Sequence, residues 1–73
     1  MVKEVPIHTP YITLGQMLKL ADVVSSGVEA KMYLQESEVL VNGVSDNRRG
    51  RKLYPGDEVE TGGATYRICS STI

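Results

Sequence analysis

The sequence predicts an α+β fold in which two short N-terminal helices form a helix-turn-helix-like corner on a small, mostly antiparallel sheet. Two observations predict it. Between residues 13 and 36, apolar residues recur every three or four positions, and two segments each begin with a helix-capping signal. From residue 38 onwards, apolar and polar residues alternate, and pairs of turn-forming residues separate the segments. A chain of 73 residues supports one hydrophobic core, so we expect a single domain over residues 1–73.

The first segment, residues 2–7, is predicted to form a short edge strand. Its apolar and polar residues alternate weakly. Pro6 suits an edge position because it has no amide proton to donate to a neighbouring strand. The sequence His8-Thr9-Pro10 then ends regular structure.

Thr13 begins the first predicted helix. Thr13 and Gln16 match the capping box S/T-x-x-E/Q, which satisfies free amides at a helix start. The apolar residues that follow have the spacing of one buried face: Leu14, Met17, Leu18 and Ala21. Lys19 points away from that face. The helix is expected to end near Asp22 or Val23.

The second predicted helix follows the tight connection Ser25-Ser26-Gly27. Ser26 and Glu29 match a second capping box, and the helix is expected to run from about residue 28 to residue 36. One face holds Ala30, Tyr33 and Leu34, and an exposed flank holds Val28, Lys31 and Gln35. The free amides at its N-terminus suit a phosphate, although an ordinary helix cap is the more common use of such a position.

Three strands are predicted after the helices, at residues 38–41, 57–61 and 64–69. The turn signals are Asn42-Gly43, Tyr54-Pro55-Gly56-Asp57 as a type II turn, and the hairpin Gly62-Gly63. In the second strand, Val59 is expected to face the core, with Glu58 and Glu60 facing outwards. Residues 70–73 are expected to fray.

The most unusual feature is the basic stretch Asn47-Arg48-Arg49-Gly50-Arg51-Lys52. It contains half of the eight Lys and Arg residues, whereas acidic residues outnumber basic ones on both sides of it. A local positive field of this kind steers an anionic partner. The planar Arg guanidinium also fits phosphate, because it donates two hydrogen bonds at once. A solvated loop without a partner is about as common for a generic run of four charges.

The order of the motifs carries a resemblance. They are Val24-Ser25-Ser26-Gly27-Val28-Glu29-Ala30-Lys31, Glu38-Val39-Leu40-Val41-Asn42-Gly43, Arg48-Arg49-Gly50-Arg51-Lys52-Leu53 and Pro55-Gly56-Asp57. This series, over about residues 12–61, resembles the S-four RNA-binding domain, named after ribosomal small-subunit protein four. It is most similar to small stand-alone bacterial members, the YaaA-like and YbcJ-like proteins. The resemblance implies an alpha-L motif that recognises structured RNA, often ribosomal or transfer RNA.

The resemblance also implies which residues bind, because family members use the two helices and the adjoining loop. On this sequence the resemblance points to Ser25, Ser26 and Lys31 and then to the basic loop, with Arg48, Arg49, Arg51 and Lys52. Lys19, which points away from the buried face of the first helix, completes the expected RNA-binding residues. Two positions depart from the family. Thr13-Leu14-Gly15 stands where many members have Arg-Leu-Asp, and Gly27 stands where many have Arg. More of the binding is therefore expected from the basic loop. Tyr54 either stacks on an unpaired base or packs on its own sheet, and packing is the more common arrangement.

The expected function is that of a non-catalytic, monomeric, cytoplasmic RNA-binding protein that needs no cofactor. Its expected partners are RNA and a ribosome or ribosome-assembly particle, with no membrane. Cys69 and His8 are the single residues of their types, which excludes an internal disulfide and a metal site built from cysteines. No segment has the apolar run of a signal peptide or a membrane span, and no nucleophile with a base at motif spacing is present.

Two alternatives remain open at this point. One is a protein-interaction module whose basic loop docks on an acidic partner in a ribosome-associated complex. The other is a ubiquitin-like sulfur carrier, which shares the Val-Asn-Gly turn and a later Gly-Gly. The second fits less well, because sulfur carriers need a C-terminal glycine, and here ten residues follow Gly62-Gly63.

Overall fold

The computed structural model describes residues 2–71. Its elements, in chain order, are β1 Val2–Ile7, β2 Ile12–Thr13, α1 Leu14–Leu20, α2 Gly27–Glu36, β3 Leu40–Val41, β4 Val44–Ser45, β5 Lys52–Leu53, β6 Glu58–Thr61 and β7 Ala64–Ser70. Five strands form one sheet in the order β1-β7-β6-β3-β4, while β2 and β5 form a separate antiparallel ladder. Strands β1 and β7 are parallel, and the other pairs of the five-stranded sheet are antiparallel. The predicted α+β fold, with β1 at an edge of the sheet, is confirmed.

The predicted capping box at the start of α1 is present in full. Thr13 donates its amide to Gln16 Oε1 at 2.9 Å, and Gln16 donates its amide to Thr13 Oγ1 at 3.3 Å. The helix ends at Leu20, earlier than predicted, because Asp22 adopts a φ of 62°. The chain turns there, and the amide of Val23 donates back to the carbonyl of Leu18 at 2.9 Å.

The second helix has the predicted extent, but its capping box is only half formed. Ser26 is the N-cap and its hydroxyl accepts a hydrogen bond from the amide of Glu29 at 3.2 Å. The Glu29 carboxylate does not return to Ser26, because it accepts from Ser25 instead. The prediction of a reciprocal Ser26–Glu29 pair was therefore wrong in this second half. Of the predicted faces, Ala30 and Leu34 are buried, Tyr33 is half-buried, and the flank Val28, Lys31 and Gln35 is exposed.

The strands agree with the prediction in order and differ at their ends. Pairing in the first predicted strand is confined to β3, and β6 begins one residue later than predicted. Val59 faces the core, and Glu60 is exposed. The prediction that the chain frays from Ser70 onwards was wrong at Ser70 and Ser71. Ser70 pairs with Ile7, and the amide of Ser71 donates to the Ile7 carbonyl at 2.8 Å. Residues 72 and 73 lie outside the described part. The two-residue strands β2, β4 and β5 were not predicted.

The predicted turns are all present. Asn42 and Gly43 have φ values of 52° and 83° and join β3 to β4, as a type I′ hairpin requires. Gly62-Gly63 joins β6 to β7 in the same way. The amide of Asp57 donates to the Tyr54 carbonyl at 2.9 Å, which closes the predicted type II turn.

Side chains from both helices, the five-stranded sheet and the β2–β5 ladder share one core. Its fully buried larger members are Leu14, Met17, Leu18, Val39, Val41, Leu53, Val59 and Ile68. Leu53 ties the end of the basic stretch into this core, and truncating such a leucine to alanine costs about 2–5 kcal/mol. The core therefore fixes the position of the loop that precedes Leu53.

Candidate functional site

The basic loop, residues 47–52, is held against the start of α1 by its main chain. The amides of Leu14 and Gly15 donate to the carbonyls of Arg51 and Arg49 at 2.8 and 3.0 Å. These two amides belong to the first turn of α1, where a helix has no internal acceptors. The loop therefore completes the cap of α1, and its position is set by backbone hydrogen bonds.

The side chain of Arg49 crosses from the start of α1 to the start of α2. A Cβ atom placed on Gly15 would lie 2.7 Å from Arg49 Cγ, which is closer than two such atoms can approach. At its far end, Arg49 Nη1 donates to the carbonyl of Gly27 at 3.4 Å. The absence of a side chain at Gly15 thus makes room for this arginine.

Arg49 lies between two surface cavities. One cavity of about 390 Å³ is lined by residues that include Gln16, Lys19 and Arg49. A second, of about 280 Å³, is lined by residues that include Lys31, Asn47 and Arg49. Lys19, Lys31 and Arg49 are all exposed. We call these three residues the Arg49 surface, since the fold brings them together from α1, α2 and the basic loop.

Arg48 and Arg51 share an internal counter-ion, Asp46. Arg48 donates from Nε to Asp46 Oδ1 at 3.1 Å and from Nη2 to Oδ2 at 2.8 Å, and Arg51 Nε donates to Oδ2 at 3.1 Å. The Asp46 side chain is only 11% exposed. The hydrogen bond from Arg48, above all, holds the pKa of Asp46 down to about 2, and the same bond raises the pKa of Arg48. These two arginines order the loop, and part of their charge is neutralised within the protein.

Ser25 and Ser26 serve the cap of α2. Besides the Ser26 bond to the Glu29 amide, Ser25 donates both its amide, at 2.8 Å, and its hydroxyl to Glu29 Oε1. These bonds, the one from the hydroxyl first, lower the pKa of Glu29. The Glu29 carboxylate thus lies at the start of α2, where the free amides were expected to suit a phosphate. The ordinary-cap interpretation is the one the structure supports there.

Lys52 lies beside two tyrosines. Its Nζ is 5.0 Å from the centre of the Tyr11 ring, and the Tyr11 and Tyr54 ring centres are 5.6 Å apart. Of the predicted residues, Lys19 and Lys31 each line a cavity together with Arg49, whereas Lys52 lies on the β2–β5 ladder.

Sequence reasoning missed Asp46 and Tyr11. The spacing Asp46-x-Arg48 was a usable signal for the ion pair, because such short spacings let an aspartate reach a neighbouring side chain and amide. Tyr11 carried no local signal, since its position beside Tyr54 depends on the long-range β2–β5 pairing.

Charges elsewhere on the protein are arranged differently. Within residues 2–71 the ion pairs involve Arg48, Arg51 and Arg67, and none involves the Arg49 surface. A larger cavity, of about 530 Å³, lies towards the C-terminal end of α2, and its lining includes Glu38 and Glu60. These carboxylates make it unsuitable for a phosphate.

The described part of the chain gives little support for metal binding, for a reactive thiol or for a membrane span. Residues 2–71 contain no group of three or more His, Cys, Asp or Glu side chains placed to hold a metal ion. Desolvation and, after it, Glu4 raise the pKa of the Cys69 thiol, which disfavours the reactive thiolate. No helix in this part is long and apolar enough to cross a membrane.

The diglycine that suggested a sulfur carrier lies inside the fold. Gly62-Gly63 forms the β6–β7 turn, and β7 continues from it between β1 and β6. A sulfur carrier presents its glycine at a free C-terminus. The structure therefore argues against that alternative.

The fold combines a helical corner, a mixed sheet and a basic loop that is fixed to the first helix. This combination defines the S-four (S4) class of small α+β domains. The S4 domain family model matches residues 5–69, and this chain belongs to that family. A protein from Bacillus subtilis named "Probable ribosome maturation protein RlbA" is 62% identical over 63 residues, which cover 86% of this chain and 89% of that protein. An Escherichia coli protein named "Putative RNA-binding protein YbcJ" is 30% identical over 59 residues, covering 81% and 84%. The expected membership of the S-four family, with similarity to a YbcJ protein, is confirmed.

Proposed function

We propose that this protein binds structured RNA, without catalysis, through the Arg49 surface and the basic loop. The observation that carries the proposal is the position of Arg49, which lines one cavity together with Lys19 and a second cavity together with Lys31. Cations without internal counter-ions attract RNA phosphates, and binding is driven by the release of the ions condensed on the RNA. Arg49 is held by both helices, so little conformational freedom is lost when it meets a phosphate.

The kind of RNA is the next part of the proposal. Ribosomal RNA is the first class to test, because one relative is named for ribosome maturation and another for RNA binding. Transfer RNA is the second class. In this proposal the protein acts as a monomer in the cytoplasm, on a ribosome or an assembly particle. Its compact basic surface reads the shape and backbone of A-form RNA, whose major groove is too narrow for side chains to read bases.

A second candidate function is favoured by an exposed apolar pair on α2. Val28 and Met32 are 70% and 51% exposed and lie one turn apart, next to the exposed Lys31. Such a pair suits a protein contact. The alternative is therefore a protein-interaction module that docks on an acidic partner in a ribosome-associated complex.

Crosslinking in cells, followed by sequencing of the bound RNA, tests the proposal. We expect the wild-type protein to recover defined structured regions of ribosomal or transfer RNA. The variant Lys31→Ala/Arg49→Ala should lose them. The control Arg67→Ala should keep them, because Arg67 is paired with Glu58 at 3.0 Å, away from the Arg49 surface. Equal RNA recovery by all three proteins would show that the RNA is bound away from the Arg49 surface. Co-purifying proteins that survive nuclease treatment, without any enriched RNA, would favour the protein-interaction alternative.

A further inference from the structure

Tyr11 and Tyr54 form an exposed aromatic pair next to the basic loop. We propose that this tyrosine pair stacks on an unpaired base of the bound RNA, so that the preferred ligand is a duplex interrupted by an unpaired nucleotide. The inference rests on the proposed RNA-binding function and names the substrate class of the same site.

The β2–β5 ladder places the two rings side by side. Ile12 is paired with Leu53, and both of these side chains are buried in the core. Tyr11 precedes Ile12 and Tyr54 follows Leu53, so alternation along the strands directs both tyrosines to the outer face. Their exposed fractions are 39% and 49%, whereas Tyr66 in the core is 8% exposed.

Hydrogen bonds fix the main chain at both tyrosines. Thr9 Oγ1 donates to the Tyr11 carbonyl at 2.8 Å, and the Tyr54 amide donates to Asp57 Oδ2 at 2.8 Å. The rings are tilted by 44° to each other, and the Lys52 ammonium lies over Tyr11. A positioned ring with a free surface loses little freedom when a flat partner covers it. Lys52 supplies a charge for the phosphate attached to that partner.

The pair is continuous with the Arg49 surface. Thr13, which is paired with Lys52 across the ladder, also lines the cavity that contains Arg49. A single RNA can therefore place a phosphate at Arg49 and a base at Tyr54. Bases within a duplex are stacked on their neighbours and cannot reach a protein ring, so the base at the tyrosines must be unpaired. Every base has a flat face, which makes this contact sensitive to pairing and tolerant of sequence.

Two RNA hairpins with the same stem test the inference. One stem is fully paired, and the other carries one bulged 2-aminopurine, a fluorescent base that is quenched on stacking. The wild-type protein should bind the bulged hairpin about 5- to 100-fold more tightly and quench its fluorescence. Tyr54→Ala should lose this preference and the quenching, while its affinity for the paired hairpin stays within about twofold. Tyr54→Phe should keep both properties, because it retains the ring. Val44→Ala changes a residue that is 69% exposed on another strand, and it should behave as wild type.

The outcomes separate the inference from the proposed function. Equal wild-type affinity for the two hairpins, with no quenching, overturns the inference and leaves RNA binding standing. The inference is also overturned if Tyr54→Ala loses the same affinity for both hairpins while Tyr54→Phe binds as wild type, because the ring would then contribute to duplex binding. Failure of the wild-type protein to bind either hairpin or any other structured RNA overturns the proposed function and the inference with it.

Discussion

The carbonyl of Arg49 accepts a hydrogen bond from the amide of Gly15 at 3.0 Å, and the Arg49 side chain occupies the space where a side chain at position 15 would begin. Glycine in a helix costs up to about 1 kcal/mol relative to alanine. In this fold that cost is offset by the close packing of the Arg49 side chain against Gly15 at the start of α1. A residue that looks unfavourable for α1 is therefore a requirement of the candidate site.

Gly15→Ala should weaken RNA binding by about tenfold, because the new methyl group displaces Arg49 and one charged hydrogen bond to the RNA is lost. Stability should not rise by the full ~1 kcal/mol that helix propensity alone predicts. The matched control is Gly27→Ala, also in the first turn of a helix, where nothing lies within 4 Å of the added atom. Filter binding and thermal unfolding check both variants. A Gly15→Ala variant that binds RNA as tightly as wild type would show that the position of Arg49 does not matter.

Gly27→Arg should strengthen RNA binding several-fold. The space around position 27 is open, and Gly27 lines the cavity that contains Lys19 and Arg49. One more phosphate contact should make the slope of log K against log salt steeper by about 1. Gly27→Gln is the control of similar length without charge. An arginine variant that binds no better than the glutamine variant would place the RNA away from this cavity.

Features that depend on neighbouring residues could be predicted from the sequence. The Thr13–Gln16 capping box and the Asn42-Gly43 turn are present because their hydrogen bonds and dihedral angles are set within a few positions. The same locality explains the partial error at Ser26. Its own bond was correct, but Glu29 had a second acceptable partner in Ser25, and the motif alone cannot choose between them.

Features that depend on distant residues could not be predicted. Strands β2 and β5 are two residues long, too short for a periodicity, and they pair across some forty positions of chain. Their pairing sets Tyr11 beside Tyr54. The approach of Arg49 to Gly15 has the same origin. The basic residues of the candidate site could thus be identified from the sequence. The sequence did not reveal that Arg48 and Arg51 pair with Asp46 whereas Arg49 does not.

Asp46→Asn should lower the free energy of unfolding by roughly 1–2 kcal/mol at neutral pH. The folded pKa of Asp46 is about 2, below its usual 3.8. The folded state therefore binds fewer protons than the unfolded state between these values. The stabilisation is complete above about pH 5 and is lost as the pH falls towards 2. Denaturant unfolding at several pH values should show the difference between wild type and variant shrinking over this range.

Asp22→Asn is the matched control for that measurement. Asp22 is exposed and has a φ of 62°, a conformation that asparagine also adopts readily. Its stability should stay within about 0.5 kcal/mol of wild type at every pH. A constant difference between wild type and Asp46→Asn from pH 7 to 2 would contradict the assigned role of the Asp46–Arg48 pair.

RNA affinity should fall steeply with salt. Within residues 2–71, Lys19, Lys31, Arg49 and Lys52 take no part in ion pairs. If these cations meet four phosphates, log K should fall against log salt with a slope of roughly −3 to −4. A titration of binding against potassium chloride measures it. A flat titration would exclude an electrostatic mechanism.

The most direct test of the account compares Arg49→Ala with Arg67→Ala by fluorescence anisotropy of a labelled structured RNA. Both variants remove one arginine, and circular dichroism should show that both keep the fold. Arg49→Ala should bind about tenfold more weakly, with a salt slope shallower by about 1. Arg67→Ala should bind as wild type, since its charge is paired with Glu58 and Glu4. Equal binding by the two variants would contradict the claim that the Arg49 surface holds the RNA.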